Sequence, residues 1–106
     1  MKIYISVPIS DRKDADTDMG KKIAAKNQAD TVKQKLISSG YEAITPFDII
    51  PMDSNISYAE AMGKDMTELL KCDGIYLCSG WRLSNGCQLE YQGAQIFSKT
   101  IIENEL

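Results

Sequence analysis

The chain has 106 residues, of which 43% are hydrophobic and 25% are charged, and its formal net charge is −3. This length fits one domain, and the composition is that of a globular protein rather than a disordered or fibrous one. The negative net charge argues against a basic surface that binds long nucleic acids. A small nucleotide needs only a few local hydrogen-bond donors, so the charge does not exclude it as a ligand.

No segment of the sequence has the character of a targeting or membrane-spanning element. The apolar run Met1–Val7 is too short for the apolar region of a signal peptide, and no run approaches the ~20 residues that cross a bilayer. We therefore expect a cytoplasmic protein with no membrane partner. The cysteines, Cys72, Cys78 and Cys87, lack CxxC spacing, and the sequence contains no histidine. Buried free thiols are therefore favoured over a metal site.

Apolar runs that alternate with helical patterns predict βαβ units around a parallel sheet. The first strand is expected at about Lys2–Val7, followed by a polar loop over Ser10–Gly20. An apolar stripe predicts the first helix over about Lys21–Ser39, and Gly40 ends it as a left-handed residue. The stripe comprises Ala25, Ala29, Val32 and Leu36.

The second strand is expected at about Glu42–Thr45 and stops at the proline that follows. The connection Phe47–Asn55 has no periodicity and is expected to be an irregular loop over the edge of the sheet. A capping box formed by Ser57 and Glu60 then opens a second helix, which ends near Lys71.

The third strand is expected at Gly74–Cys78, which is apolar on both faces as a central parallel strand is. A turn-rich loop leads to a third helix at about Asn85–Ser98, and Thr100–Glu103 forms the last strand. Right-handed crossovers favour a flavodoxin-like or Rossmann-like α/β domain with strand order 2-1-3-4 and three flanking helices. Ligands bind such sheets at the carboxyl ends of the strands, so site residues should follow Val7 or Cys78.

Two acidic residues stand on or beside the apolar stripes of the helices. Asp65 lies on the apolar face of the second helix, so it is either hydrogen-bonded structurally or open to a cleft, because an unpaired buried charge is costly. Glu90 lies about two turns into the third helix. It is either a boundary residue or a carboxylate that the helix dipole keeps ionised and that reaches toward the preceding loop. Without histidine, acid–base chemistry has to use carboxylates, tyrosines, lysines or an unassisted cysteine.

The loop after the third strand, Ser79–Gly86, offers hydroxyls and backbone donors at the expected site. Its Trp81 either stacks on a base or covers the core. Ser84 or Asn85 is expected to cap the third helix, whose N-terminus also suits a phosphate or a sugar hydroxyl. Neither GxGxxG nor GxxxxGK[ST] occurs, which removes the usual dinucleotide-binding and P-loop interpretations. We expect no cofactor.

Three other aspartates have less direct roles. Asp73 precedes the third strand and is expected to be structural, because it lies at the opposite end of the sheet from the site. Asp48 and Asp53 lie in the long connection, where they either reach the site or form turns.

Taken in order, these segments resemble the nucleoside 2-deoxyribosyltransferase superfamily. They are most similar to its short bacterial and phage members and to its deoxynucleoside 5′-monophosphate N-glycosidases. The matching segments span nearly the whole chain, and they are Ile3–Ile9, Lys64-Asp65, Cys72–Leu77, Gly80-Trp81, and Ser84–Gly86 followed by Glu90 and Ala94.

The resemblance implies that Glu90 attacks the anomeric carbon of a deoxyribosyl group. It also implies that Asp65 binds the sugar or assists proton transfer to the leaving base. Tyr4 then lies near the sugar and Ser84 near the 5′ group. Further substrate contacts are implied for Pro8, Ile9, Gly80, Trp81, Asn85 and Gly86.

The implied reaction is cleavage or transfer at the N-glycosidic bond of a (deoxy)nucleoside or its 5′-monophosphate, without metal or cofactor, in a homo-oligomer. The alternatives are a nucleotide-binding module without turnover and an oligomeric structural protein on the same fold. Two positions depart from the usual pattern of the superfamily. Val7 stands where glycine commonly precedes the proline, and Gln92 stands where glycine commonly follows the nucleophile by two residues.

Overall fold

The computed structural model describes residues 1–103 of the chain. Within this range four parallel strands form one sheet in the order β2-β1-β3-β4, which confirms the predicted architecture. Each strand begins at the predicted residue and ends within one residue of the predicted end. The strands are β1 at Lys2–Ser6, β2 at Glu42–Ile44, β3 at Gly74–Leu77 and β4 at Thr100–Glu103.

The described range holds four α-helices, one more than the sequence predicts. They are α1 at Asp18–Ser38, α2 at Pro46–Ile49, α3 at Tyr58–Lys71 and α4 at Asn85–Ile96, and a 3-10 turn covers Trp81–Leu83. In residues 1–103, none of these helices is both long enough and apolar enough to cross a lipid bilayer.

The additional helix, α2, forms where the sequence predicts an irregular loop. Thr45 and Asp48 make a complete capping box, in which each side chain accepts a hydrogen bond from the backbone N–H of the other. Pro46 occupies the first helical position, where its missing N–H costs nothing. A single turn is too short to produce a helical period, so the pattern of apolar residues did not reveal it.

The capping residues also decide where the longer helices begin. The Thr17 hydroxyl accepts from the Gly20 N–H at 3.0 Å, so α1 starts three residues before the predicted position. At α3 the Ser57 hydroxyl accepts from the Glu60 N–H as predicted. The Glu60 carboxylate, however, accepts from the Ser57 hydroxyl at 3.3 Å instead of from its backbone N–H. The predicted capping box at α3 is therefore half correct.

The strand β1 presents alternate residues to the two helical layers. Ile3 and Ile5 pack in the apolar core beneath α1, whereas Tyr4 packs on the opposite face in the core beneath α3 and α4. Ser6 follows Tyr4 by two residues and therefore shares its face. This alternation sends two hydroxyl groups from one strand toward the side of the sheet that α4 covers.

Two of the three other aspartates are structural. The Asp73 carboxylate accepts from the Lys2 N–H at 2.8 Å at the amino ends of the strands, which agrees with its predicted role. Asp48 caps α2 and pairs with Lys33 at 2.8 Å, so it stabilises the long connection rather than reaching a site. Asp53 is exposed on that connection.

Candidate active site

A cavity of about 230 Å³ opens at the carboxyl end of β1 and is also lined by residues that follow β2 and by α4, the helix that follows β3. Its walls come from α3 and α4, from the loop after β1 and from the connection 46–57. This position agrees with the general rule for open parallel sheets, in which the crevice lies where the strand order reverses. The volume lies just below the usual range of about 300–1,000 Å³ for small-molecule sites.

Glu90 lies in the wall of this cavity and is 4% exposed. Its two carboxylate oxygens accept hydrogen bonds from different hydroxyl groups of β1. The Tyr4 hydroxyl donates to Oε2 at 2.6 Å, and the Ser6 hydroxyl donates to Oε1 at 2.7 Å. Short O–H···O bonds of this kind are strongest when the acceptor is ionised. The two donors therefore orient Glu90 and favour its charged form.

Asp65 lies in the same cavity wall, on α3, and is 7% exposed. Its Oδ1 atom is buried and has no hydrogen-bond partner among the described residues. A structural aspartate at this depth would be expected to have its oxygens satisfied, because an unpartnered buried polar atom is costly. The geometry therefore favours the cleft-facing alternative for Asp65 over the structural one.

Burial controls the protonation of both carboxyl groups. It raises the pKa of Glu90 to about 7, against the opposing effect of the Tyr4 and Ser6 hydrogen bonds. It also raises the pKa of Asp65 to about 7; the nearby charge of Glu90 contributes to this rise, and the Tyr4 hydroxyl opposes it. Two neighbouring carboxyl groups of this kind hold a single proton between them near neutral pH.

The hydrogen bonds decide which carboxyl group carries that proton. Glu90 accepts from two hydroxyl donors, whereas Oδ1 of Asp65 has none among residues 1–103. The hydrogen bonds therefore favour the charge on Glu90 and the proton on Asp65. Burial, followed by the charges of Glu90 and Asp65, raises the pKa of Tyr4 well above its ordinary value. Tyr4 accordingly stays a neutral hydrogen-bond donor.

Five residues selected from the sequence line this cavity together. Ile9, Ser84 and Gly86 lie in its wall with Glu90 and Asp65, while Tyr4 lies beneath Glu90. The Ser84 hydroxyl accepts from the Cys87 N–H at 3.2 Å, so Ser84 rather than Asn85 caps α4. A side chain at Gly86 would place a Cβ 3.1 Å from the Tyr58 hydroxyl.

Trp81, proposed from the sequence as a substrate contact, does not line the cavity formed by the described residues. Its ring packs against Tyr91 with 4.7 Å between centroids, and its indole N–H donates to Glu103 at 3.3 Å. The Arg82 guanidinium lies 4.7 Å from the centroid of the same ring. Of the two roles considered for Trp81, its contacts fit the one in which the ring covers the apolar core.

Pro8, Gly80 and Asn85 also lie outside the cavity wall that the described residues form. Gly80 has a φ of 88° and adjoins Pro8, whose Cγ is 3.6 Å from the position of an added Cβ. The two residues thus form a turn beside the site. The Asn85 N–H donates to the Asp11 carboxylate at 3.2 Å, so Asn85 contributes a backbone bond at the rim.

The sequence did not reveal several residues of the site. The largest group is the apolar connection that covers the cavity, because an irregular segment carries no period that would show which side chains point inward. Ser6 is different, since its spacing of two from Tyr4 on a strand could have identified it. The missed lining residues include Asp11, Lys22, Phe47, Ile50, Pro51, Met52, Ile56, Tyr58 and Met62.

Cys87 lines the cavity beside Glu90. Burial raises the pKa of its thiol to about 11. A nucleophilic cysteine needs a lowered pKa to form the thiolate near neutral pH. The carboxylates are therefore the groups of this cavity that are suited to nucleophilic and acid–base chemistry.

Comparison with known proteins places the fold among solved structures. No protein of curated function matches the sequence. Among solved structures, a similar fold occurs in the CMP N-glycosidase BcmB of Clostridium botulinum, with a TM-score of 0.65 and 16% sequence identity. The similarity covers 97% of this chain and 70% of that one. At the level of the fold, it agrees with the resemblance identified from the sequence.

The family assignment rests on a match over almost the entire chain. The sequence profile of a family described as a domain of unknown function, DUF4406, matches residues 1–103. This range contains every strand and helix described here, together with both carboxylates of the cavity. The chain therefore belongs to the DUF4406 family.

Proposed function

We propose that this protein cleaves the N-glycosidic bond of a nucleoside or nucleotide, with Glu90 as the nucleophile and Asp65 as the proton donor. One observation carries the proposal. A buried carboxylate held by two hydroxyl donors shares a small cavity with a second carboxyl group whose Oδ1 has no partner among the described residues. The similarity of the fold to that of a CMP N-glycosidase supports this class of substrate.

In the first step, an oxygen of the Glu90 carboxylate attacks the anomeric carbon of the sugar. The bond between that carbon and the base nitrogen breaks, and its electron pair moves to the base. Asp65 transfers its proton to the base, which leaves as a neutral molecule. The sugar is then bound to Glu90 as an ester, as in retaining glycosidases.

In the second step, a water molecule attacks the same carbon and Asp65, now ionised, takes its proton. The ester bond to Glu90 breaks, and both carboxyl groups return to their starting states. If a second base replaces water as the attacking group, the same sequence transfers the sugar. The hydrogen bonds from Tyr4 and Ser6 hold Glu90 ready for attack and stabilise it when it leaves.

The apolar connection above the cavity suits the remaining part of the substrate. Phe47, Ile50 and Met52 line the cavity together with the carboxylates. We assign the base to this apolar wall, because aromatic and aliphatic side chains favour a planar, weakly solvated ring system.

The proposal is tested with a panel of ribonucleosides and deoxynucleosides and their 5′-monophosphates, CMP included, with chromatography to detect the free base. We expect at least one member to be cleaved, and Glu90→Gln to lower the rate by at least ~10³-fold, as is typical for loss of a nucleophile. Glu42→Gln makes the same chemical change at an exposed position on β2. This control should keep the wild-type rate.

Intact-mass analysis after an acid quench provides a second readout, because the Glu90 ester adds one glycosyl unit to the chain. Addition of a second base then separates transfer from hydrolysis. If wild-type protein releases no base from any member of the panel, yet a member raises its melting temperature, the catalytic proposal is wrong. The protein would then be a nucleotide-binding module.

A further inference from the structure

The carboxylate of Asp11 lies at the N-terminus of α4 and also lines the cavity. Its Oδ2 accepts from the Asn85 N–H at 3.2 Å, and Asn85 is the first residue of the helix. The first N–H groups of a helix lack partners within the helix and carry its positive end, so they form an attractive position for an anion. In this chain, an acidic side chain of the protein itself occupies that position.

The charges around the cavity are predominantly negative. Asp11 and Glu90 contribute carboxylates to its wall, Asp65 contributes the carboxyl group that carries the shared proton, and Lys22 is the cation among the described lining residues. Arg12, the next residue along the loop, is engaged elsewhere. Its guanidinium pairs with Asp14 at 2.9 Å and donates to the Pro8 carbonyl at 3.0 Å. A dianionic phosphate would therefore meet like charges at this end of the cavity, with the Arg12 guanidinium already paired.

The positions of Asp11 and Glu90 on the cavity wall indicate which part of the substrate each one meets. Asn85, which holds Asp11, and Glu90 are five residues apart on α4, so about 8 Å separates them along the helix axis. A pentose whose anomeric carbon contacts Glu90 is shorter than this distance, so only its far end can approach the Asp11 carboxylate. With the base against the apolar connection, the 5′ end of the sugar is the part that faces Asp11 and Ser84.

We infer that Asp11 selects a substrate with a free 5′-hydroxyl group, so that the protein acts on a nucleoside in preference to its 5′-monophosphate. This inference rests on the proposed function and assigns its substrate class. A carboxylate accepts a hydrogen bond from a hydroxyl group, whereas it repels a phosphate. The phosphate would also have to displace Asp11 from the Asn85 N–H. The helix N-terminus that the sequence suggested for a phosphate or a sugar hydroxyl is thus suited to the hydroxyl.

The test compares kcat/KM for a nucleoside and its own 5′-monophosphate, using wild-type protein and Asp11→Asn. We expect wild-type protein to favour the nucleoside, and Asp11→Asn to reduce that preference by roughly 10-fold, because a like charge is removed. Asp16→Asn is the matched control. Asp16 is an exposed aspartate of the same loop that does not line the cavity, so its replacement should leave the ratio unchanged.

Binding provides the second readout, measured as the shift in melting temperature of Glu90→Gln and of Glu90→Gln combined with Asp11→Asn. The nucleoside should raise the melting temperature of both variants. The shift caused by the monophosphate should increase more than the shift caused by the nucleoside when Asp11→Asn is added. A wild-type preference for the monophosphate, or a ratio that Asp11→Asn does not change, overturns this inference alone. A protein that neither cleaves nor binds either ligand overturns it together with the proposed function.

Discussion

Replacement of Asp65 by asparagine should stabilise the protein at alkaline pH while it reduces activity. Burial and the charge of Glu90 raise the pKa of Asp65 from 3.8 to about 7. A carboxyl group with a raised pKa binds its proton more tightly in the folded chain than in the unfolded chain. Its contribution to stability is complete below about pH 4 and is lost as the pH rises from there through about 7. An asparagine side chain at this position does not titrate, so the variant avoids this loss.

The magnitude follows from the size of the pKa shift. A rise from 3.8 to about 7 corresponds to about 4 kcal/mol, since one pKa unit is worth about 1.4 kcal/mol. Asp65 lines a cavity that water enters, so we halve this figure to about 2 kcal/mol for solvent screening. The free energy of unfolding of Asp65→Asn, relative to that of wild-type protein, should therefore increase by about 2 kcal/mol when the pH is raised from about 4.5 to about 8.

Urea denaturation at the two pH values measures this difference. Trp81 is the single tryptophan of the sequence and is 8% exposed, so its fluorescence reports unfolding. Comparison of the variant with wild-type protein at each pH removes the contributions of the other titrating groups. Asp53→Asn, at an exposed aspartate outside the cavity wall, is the control and should show no such gain.

Activity and stability together distinguish a proton donor from a structural residue. If Asp65 is a proton donor, Asp65→Asn should reduce the turnover of each folded molecule without reducing the free energy of unfolding. A loss of more than ~3 kcal/mol at both pH values, with turnover retained, would instead identify Asp65 as a structural partner. Such a result would refute both the assignment of the shared proton and the role of Asp65 in the reaction.

Three further predictions concern the support of the site and the fold. Ser6→Ala removes a 2.7 Å hydrogen bond to Glu90, so the acidic limb of the pH profile of kcat/KM should move up by about one unit; an unmoved limb would contradict the positioning role. Trp81→Phe should lower the urea midpoint, followed by circular dichroism because the variant has no tryptophan, but leave kcat/KM within about twofold, since the ring packs away from the cavity. Gly74→Ala should destabilise by about 2 kcal/mol in urea, because its Cβ would lie 2.9 Å from the Thr100 carbonyl oxygen. Gly63→Ala, with open space around it, should stabilise α3 by about 0.5–1 kcal/mol; equal effects of the two alanines would refute the packing argument.

The strand order and the four strands could be predicted because they depend on local patterns and on a general rule of chirality. The apolar runs at Ile3–Ile5 and Ile75–Leu77 have the composition of buried parallel strands, and right-handed crossovers then leave few strand orders. The stripe from Ala25 to Leu36 likewise determined which face of α1 is buried. Each of these signals lies within one segment, so a sequence suffices to detect it.

Part of the site could also be identified in this way. Asp65 and Glu90 were notable because acidic side chains seldom occupy apolar helical faces, and the structure brings both to one cavity. Trp81 was ambiguous, since a large aromatic ring in a loop serves equally to bind a ligand or to cover a core. Its partners, Tyr91 and Glu103, come from α4 and β4, and their proximity is set by the packing of the whole domain.

By itself, the sequence determined the α/β architecture, the elements that carry the two acidic residues and the end of the sheet at which they meet. Only the tertiary structure decided that Ser6 joins Tyr4 as a donor to Glu90, that the connection 46–57 covers the cavity, and that Asp11 occupies the N-terminus of α4. The physical reason is that periodicity reports burial within one element. Hydrogen bonds between residues 74 to 86 positions apart depend on how the helices pack across the sheet.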